Sequence, residues 1–120
     1  MTGAMKQIEA VVKKEKVPAV DKALKAVGVS GVTMIEGAMG RGRDKLIVTS
    51  YARGRWTFTS DYISHSILIV VVDEKDVSKV TQAIAKAAST KRIGDGMIFI
   101  SPIEDAIDIS SGESLDHSLA

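Results

Sequence analysis

The most apolar part of the chain is residues 67 to 72, Ile67-Leu68-Ile69-Val70-Val71-Val72, and it is followed directly by Asp73 and Glu74. An unbroken aliphatic run of this length is typical of a strand in the middle of a sheet, with both faces covered. The acidic residues suit the positive end of a following helix. Apolar side chains then recur at helical spacing, at Val77, Val80, Ile84 and Ala87 or Ala88. The stretch therefore predicts a central strand that leads into a helix.

A similar strand and helix precede this stretch. Residues 6 to 12 alternate between apolar and polar side chains, which is the period of a half-covered strand. Pro18 suits the start of a helix, apolar residues follow at helical spacing, and Gly28 can end that helix. Residues 31 to 36 predict a second strand.

Downstream of the second helix, Met97 to Ile100 predicts a fourth strand. We expect a short turn around Ser101 and Pro102 next, and then a short fifth strand at residues 106 to 109. Residues 111 to 120 form a polar tail.

The predicted order is β-α-β, a long loop, and β-α-β. This order indicates an α+β fold of the ferredoxin-like βαββαβ type, in which both helices lie on one face of an antiparallel sheet. The other face is then bare, and its apolar residues, such as those alternating along residues 67 to 72, need a partner. Self-association is the commonest solution, so we expect an oligomer.

Composition narrows the range of function classes. The chain has 120 residues, of which 45% are hydrophobic, and this composition indicates one globular domain over residues 1–120. Its formal charge of +1 produces no overall electrostatic field that would attract nucleic acid or an anionic membrane. It has no cysteine, which excludes disulfides and thiol chemistry, and a metal site is not expected. No signal peptide or bilayer-spanning run of ~20 apolar residues is present, so we expect a cytoplasmic protein.

Two segments lie outside this core pattern. Residues 40–62 mix arginine, serine, threonine and isolated aromatics without a burial period, and we predict a long exposed loop there, with a partial β-ribbon as an open alternative. Residues 89–97, the glycine turn, place Lys91 and Arg92 before Gly94-Asp95-Gly96. Backbone N–H groups in such a turn can converge on an anion, although an ordinary tight turn has the same composition.

Several of these pieces together resemble the PII signalling proteins. The resemblance rests on residues 5–10, 28–33, 40–41 and 90–100 in their order and spacing, and it extends to about residue 113. It implies a homotrimer that regulates nitrogen and carbon metabolism without catalysis. It also implies a small effector in each cleft between protomers, with no other cofactor, and a regulatory loop that acts on a target enzyme or transporter.

The resemblance also implies which residues form the site. The implied ligand-binding residues are Thr33, Gly40, Arg41, Lys91, Arg92, Gly94, Asp95 and Gly96. Arg92 stands where the family usually has a lysine. The implied partner-binding residues of the loop are Arg43, Tyr51, Arg53, Arg55 and Trp56.

This sequence departs from the family pattern where the family binds ATP or ADP. Met97 replaces the phosphate-binding lysine after the Gly-Asp-Gly turn, and Asp108 and Ser110 replace two arginines that reach across from the neighbouring protomer. Gly42 replaces a glutamine that helps to organise magnesium and 2-oxoglutarate. We therefore expect weakened binding of ATP and ADP and a smaller anion, such as a di- or tricarboxylate, bicarbonate or a monophosphate nucleotide, with an adenine nucleotide as an open alternative.

The sequence leaves three other functional interpretations to weigh against a divergent PII-like sensor. A conventional PII regulator would bind ATP or ADP and 2-oxoglutarate. A small ferredoxin-like enzyme would need a nucleophile, a base or a metal cluster, and the two scattered histidines suggest no such geometry. His65 is interpreted as a capping or interface residue. An RNA-binding module would carry aromatic residues on its first and third strands, where this chain has aliphatic ones.

Overall fold

A computed structural model of the chain describes residues 4–50, 56–92 and 94–114; for residues 40–50 and 56–62 the description is limited to the backbone. Within these ranges the elements follow the predicted order: β1 Met5–Lys13, α1 Val17–Ala26, β2 Thr33–Ser50, β3 Trp56–Asp73, α2 Val77–Ala88 and β4 Gly96–Ile103. One turn of 3₁₀ helix precedes each α-helix, at Lys14–Lys16 and at Glu74–Asp76. None of the described helices is long and apolar enough to cross a bilayer.

The strands form one antiparallel sheet in the order β2-β3-β1-β4. β1 pairs with β3 on one side, from Met5 opposite Asp73 to Lys13 opposite His65, and with β4 on the other side. β3 is therefore an interior strand, as the aliphatic run predicts. The ferredoxin-like fold class is confirmed.

The core lies between the helices and one face of this sheet. Ile8, Ala10 and Val12 of β1 are buried, because alternate side chains of a strand point to the same face. The alternate residues of β3 and the inward faces of both helices pack against them. Those residues are Leu68, Val70, Val72, Val20, Leu24, Val80, Ile84 and Ala88.

Neither of the two described α-helices covers the opposite face of the sheet. Ile67, Ile69 and Val71 of β3 lie on this helix-free face and are only partly buried. On β4, Met97 and Phe99 pair with residues of the same face and are 61% and 54% exposed. The expectation that the aliphatic run is covered on both faces is therefore wrong for a single chain, whereas the expectation of a bare apolar face is confirmed.

Helix α1 ends as the sequence predicts. Pro18 lies in its first turn, and Gly28 follows its last turn with a φ of +91°. The N–H of Val29 donates to the carbonyl of Leu24 at 3.0 Å, which satisfies a carbonyl at the end of the helix. A glycine adopts this left-handed conformation without a Cβ penalty.

The predicted loop over residues 40–62 is for the most part a β-ribbon, so the loop interpretation is wrong for the described residues and the ribbon alternative is confirmed. β2 and β3 continue as a pair out to Ser50 opposite Trp56, and residues 51–55 lie outside the described residues. We call residues 40–50 and 56–62 the ribbon. The pairing is irregular between Ile35 and Ala38 and between Arg41 and Leu46.

Two expectations near the C-terminal end also need correction. Instead of a turn at Ser101 and Pro102, β4 continues to Ile103, because an edge strand tolerates proline without losing an interior ladder bond. Instead of a fifth strand at residues 106–109, only an isolated bridge joins Ile107 to Ser114 in the described part. The carboxylate of Asp108 bends the chain there, as described below.

Candidate functional site

The carboxylate of Asp95 organises the glycine turn. It accepts hydrogen bonds from the N–H of Thr90 at 2.7 Å, from Thr90 Oγ1 at 2.5 Å and from the N–H of Arg92 at 3.4 Å. The N–H of Lys91 donates instead to Ser89 Oγ at 3.1 Å. Three successive N–H groups of the turn therefore already bind side chains of the turn itself. An external anion would have to use the glycine amides and the cationic side chains.

Lys13, at the end of β1, completes the environment of this carboxylate. Its Nζ lies 3.2 Å from Asp95 Oδ1, and both side chains are about one-fifth exposed. Burial alone would raise the pKa of Asp95, but the hydrogen bonds from Thr90, Lys13 and Arg92 outweigh it and hold that pKa well below its usual range. Asp95 is therefore ionised under all ordinary conditions and acts as a fixed anchor of the turn.

The backbone of the turn is tightly folded. Gly94 and Gly96 have φ values of +90° and +125°, and Lys91 has a φ of +63°, which is uncommon for a residue with a side chain. A Cβ at position 96 would lie 1.8 Å from the backbone oxygen of Val11. Glycine is thus required at position 96 both by its conformation and by the close approach of β1.

His65 joins the turn to β3. Its side chain is 4% exposed; Nε2 lies 3.0 Å from the carbonyl oxygen of Gly94, and Nδ1 lies 2.8 Å from the carbonyl oxygen of Ile63. Ile63 pairs with Gly40 at the start of the ribbon. A single side chain therefore connects the glycine turn to the ribbon base, which we define as residues 38–41 and 62–65.

The remaining predicted ligand-binding residues are placed as follows. Lys91 and Arg92 are exposed on the turn. Gly40 and Arg41 lie in β2 opposite Ile63 and residue 62, so their backbone is at the ribbon base, while their side chains lie outside the described part. Thr33 is exposed and pairs with Ile69, four positions from His65, or about 13 Å along the strand. Within one chain, Thr33 is thus separate from the turn.

The predicted partner-binding residues lie beyond the ribbon base. Arg43 and Trp56 fall within the strands of the ribbon, where only the backbone is described. Tyr51, Arg53 and Arg55 lie outside the described residues.

A cleft of about 260 Å³ lies between the end of α2 and the start of β4. Its lining is almost entirely apolar and includes Ile84, Ala88, Met97 and Ile98, and Asp95 is the charged residue among the lining groups. Lys13 Nζ lies 3.2 Å from Asp95 and balances its charge, so charge does not favour an anion inside the cleft. Met97, at the position where the resemblance implies a lysine, adds an apolar side chain to this lining.

Asp108 is engaged in a turn of its own. Its carboxylate accepts the N–H groups of Ser110 at 2.7 Å and Ser111 at 3.1 Å, and its carbonyl accepts the N–H of Gly112 at 2.7 Å. Short polar side chains of this kind stabilise turns in place of strands. Where the resemblance implies two arginines reaching towards a neighbour, this chain thus has a carboxylate and a serine in a compact bend.

Sequence reasoning missed Lys13 and understated His65. Neither residue belongs to a motif, because each acts through a contact between distant parts of the chain. What the sequence does show is their position: Lys13 directly follows the predicted strand 6–12, and His65 shortly precedes the predicted strand 67–72. Antiparallel pairing of these strands places the two residues opposite each other. The sequence pattern alone does not give that register.

Comparison with known proteins finds relatives that match most of the chain. The family model described as nitrogen regulatory protein P-II matches residues 5–113. Nitrogen regulatory protein P-II 2 of Methanothermobacter thermautotrophicus is 42% identical over 110 residues, covering 92% of this chain and 93% of that protein. Nitrogen regulatory protein P-II of Bradyrhizobium diazoefficiens is 43% identical over 110 residues, with coverage of 92% and 96%.

Solved structures show the same architecture. Arabidopsis thaliana PII bound to citrate matches with a TM-score of 0.69 and 28% identity, covering 93% of this chain and 86% of that one. B. subtilis GlnK matches with a TM-score of 0.74 and 24% identity, covering 98% and 100%, a likeness that concerns the fold alone. The resemblance inferred from the sequence is confirmed: the chain belongs to the P-II family, whose members are regulatory signal-transduction proteins and not enzymes.

Proposed function

We propose that this P-II protein is a trimeric metabolic sensor that binds a small carboxylate anion between protomers and regulates a partner protein through the ribbon. The observation that carries the proposal is the contact of His65 with Gly94 and Ile63, which places the glycine turn against the ribbon base. A ligand at the turn would therefore lie beside the segment that has to respond to it. Arg41, whose backbone is at that base, is proposed to contact the ligand.

The charge of the turn favours a compact anion. Lys91 and Arg92 are exposed on it, whereas Lys13 is already paired with Asp95 at 3.2 Å. Two exposed cations with nearby glycine amides match a di- or tricarboxylate. The citrate-bound relative from Arabidopsis thaliana supports a tricarboxylate in particular.

The same charges disfavour a nucleoside triphosphate. Met97 is 61% exposed and apolar, and Asp108 and Ser110 stand at the two positions of the implied arginines. Charge-assisted hydrogen bonds contribute ~1.5–3 kcal/mol each, so the loss of three lowers affinity by about a thousandfold or more. We therefore propose that ATP and ADP bind weakly or not at all.

The ribbon is proposed as the output of the sensor. Its ladder is interrupted between Arg41 and Leu46, directly beyond the ribbon base, and breaks in pairing are places where a ribbon can change direction. An anion that binds one orientation of the ribbon more tightly shifts the population towards that orientation. The partner protein would then bind one orientation of the ribbon and not the other.

Isothermal titration calorimetry with citrate, ATP and ADP tests the proposal. We expect citrate to bind the wild-type protein and ATP and ADP to bind outside the micromolar range. Arg92→Ala should weaken citrate about tenfold, by loss of one charge-assisted contact. Met97→Lys should strengthen ATP binding by a similar factor.

Lys22→Ala provides the matched control, because Lys22 is exposed on α1 and its removal changes net charge equally. It should leave citrate affinity unchanged. Micromolar affinity for ATP or ADP in the wild-type protein would contradict the proposal and favour a conventional P-II regulator. Absence of citrate binding, or equal losses in Arg92→Ala and Lys22→Ala, would also contradict it.

A further inference from the structure

Residues 104–114, which we define as the acidic bend, form a compact unit after β4. The hydroxyl of Ser114 donates to the carboxylate of Asp105 at 2.9 Å, near the two ends of the bend. Further in, the N–H of Asp108 donates to the carbonyl of Glu113 at 2.9 Å. These bonds close the bend across its width, so it presents a defined surface to its surroundings.

Ile109 lies at the tip of the acidic bend and is 100% exposed, so no described residue covers it. Single exposed aliphatic residues are common on protein surfaces. This one directly follows Asp108, whose carboxylate is fixed by the N–H groups of Ser110 and Ser111. The bend contains no cationic residue, and its acidic residues are Glu104, Asp105, Asp108 and Glu113. An apolar side chain therefore stands here among negative charges.

The cleft between α2 and β4 has the complementary pattern. Its lining is almost entirely apolar, and its volume of about 260 Å³ is below the range of about 300–1,000 Å³ typical of sites for drug-sized ligands, so it suits one or two side chains. Lys91 and Arg92 are exposed on the glycine turn, which supplies Ser89 and Asp95 to the lining. Lys13 balances Asp95, so these two cations give the edge of the cleft an excess of positive charge.

The two surfaces lie at opposite ends of β4. Gly96 begins this strand and Ile103 ends it, which separates the ends by about 23 Å. The complete exposure of Ile109 shows that the bend does not fold back onto the cleft of its own chain. In this structure the surfaces can meet only between two copies. A contact between unlike surfaces repeats from copy to copy and closes a ring where the rotation allows it.

We propose that the acidic bend of one copy docks on the cleft of a second copy, with Ile109 in the apolar cleft and the carboxylates of the bend against Lys91 and Arg92. Burial of Ile109 removes apolar surface from water, and the opposite charges orient the two copies. A consequence rests on the proposed function: the carboxylates of the bend and citrate compete for the same two cations. Citrate then binds by displacing the bend of the neighbouring copy.

Disulfide trapping tests the contact without any ligand, because the chain has no cysteine of its own. Ala85 lines the cleft and is exposed on α2, so Ala85→Cys and Ile109→Cys replace no buried side chain. A disulfide needs Cα atoms within about 7 Å, so the two positions of one chain cannot be bridged across the length of β4. With oxidised glutathione as the oxidant, the double variant should form covalently linked chains on a denaturing gel.

Lys22→Cys with Ile109→Cys is the matched control, because Lys22 is exposed on α1, away from the cleft. Trapping through Ala85→Cys should be at least about tenfold faster than in this control, because docking holds two thiols at an effective concentration on the order of millimolar. Equal rates in the two double variants, or no linked chains through Ala85→Cys, would overturn the docking contact.

A charge reversal tests the edge of the cleft. Arg92→Glu, added to the Ala85→Cys and Ile109→Cys protein, should slow trapping about tenfold through the loss of a charge-assisted contact. Lys22→Glu changes the net charge equally and should leave the trapping rate unchanged. Equal trapping rates for the two charge reversals would show that the acidic bend does not use the cations of the turn.

Citrate separates this inference from the proposed function. Saturating citrate should slow trapping through Ala85→Cys about tenfold, as Arg92→Glu does, since both remove a cation from the bend. Unchanged trapping in a protein that binds citrate would overturn the competition. If trapping is fast but calorimetry detects no citrate binding, the proposed function fails and the docking contact stands. If citrate binds but trapping is no faster than in the control, the docking contact fails and the proposed function stands.

Discussion

Asp95 shows how much of the glycine turn is determined by one side chain. The composition of residues 89–97 predicts a glycine turn, either an ordinary tight turn or one that binds an anion. The structure places the carboxylate of Asp95 where Thr90, Arg92 and Lys13 all donate to it. The existence of the turn could be predicted from its glycines. Its partner Lys13 could not be predicted, because Lys13 is distant in sequence and is brought to Asp95 by the pairing register of β1.

Asp95→Asn tests this arrangement. The pKa of Asp95 is lowered in the folded protein, so its contribution to stability is present above the ordinary carboxyl pKa and is lost as pH falls towards the folded value. We expect the variant to lose about 1–3 kcal/mol of unfolding free energy at pH 7, measured by urea denaturation. The difference from wild type should shrink below about pH 4, as the carboxyl of the unfolded wild-type chain becomes protonated.

Asp21→Asn serves as the comparison for that measurement. Asp21 pairs with Lys25 on the surface of α1 at 3.3 Å, where the two side chains are 42% and 75% exposed. Such pairs contribute about 0–1 kcal/mol. Equal losses for Asp21→Asn and Asp95→Asn, or a loss for Asp95→Asn that persists unchanged at pH 2, would contradict the anchoring role of Asp95.

At the scale of elements, the strands and helices that bury a face were predictable, whereas the strands of the ribbon were not. Leu68, Val70 and Val72 of β3 face the core, as do Val80 and Ile84 of α2, and the sequence pattern predicts a strand and a helix at these places. The sequence of the ribbon has no regular apolar-polar alternation, so a periodicity argument detects no strand there. The two strands of the ribbon are recognised by the pairing of residues 40–50 with residues 56–62, which the sequence pattern does not reveal.

A prediction at the scale of elements concerns Gly96, where the glycine turn meets β4. At Gly96 a Cβ would lie 1.8 Å from the oxygen of Val11, so Gly96→Ala must displace β4 from β1. We expect a loss of about 2–4 kcal/mol in thermal or urea unfolding. Gly28→Ala shares the positive φ, but a Cβ there meets no atom within 4 Å, and it should cost about 1 kcal/mol. Similar losses for the two variants would show that β4 does not approach β1 so closely.

At the scale of the whole molecule, the helix-free face needs a partner. Ile67, Ile69 and Val71 of β3 and Met97 and Phe99 of β4 lie on it, on either side of β1. Gln7, Glu9 and Val11 of β1 lie between them. Partly exposed apolar residues gathered on one face in this way mark an interface. The sequence predicted this face from the fold class and the aliphatic run together. Which protomers meet there does not follow from one chain, so the trimer remains a proposal.

Ile67→Lys tests whether this face joins the protomers. Ile67 is opposite Val11 on β1 and Ile35 on β2, so a lysine there has no carboxylate directly across from it. It should dissociate the oligomer, because an unpaired charge is costly to bury. Gln82→Lys adds the same charge on the exposed side of α2 and should leave the oligomer intact. Folding of both variants is checked by circular dichroism, and an intact oligomer in Ile67→Lys would place the interface elsewhere.

The central claim is that the ligand site lies where protomers meet, beside the glycine turn. Sedimentation velocity on the wild-type protein tests it most directly, since a site between protomers cannot exist without an assembly. The account predicts a single species of about three times the 12.8 kDa chain mass. A species with the mass of one chain, at the micromolar concentrations used for ligand binding, would contradict it.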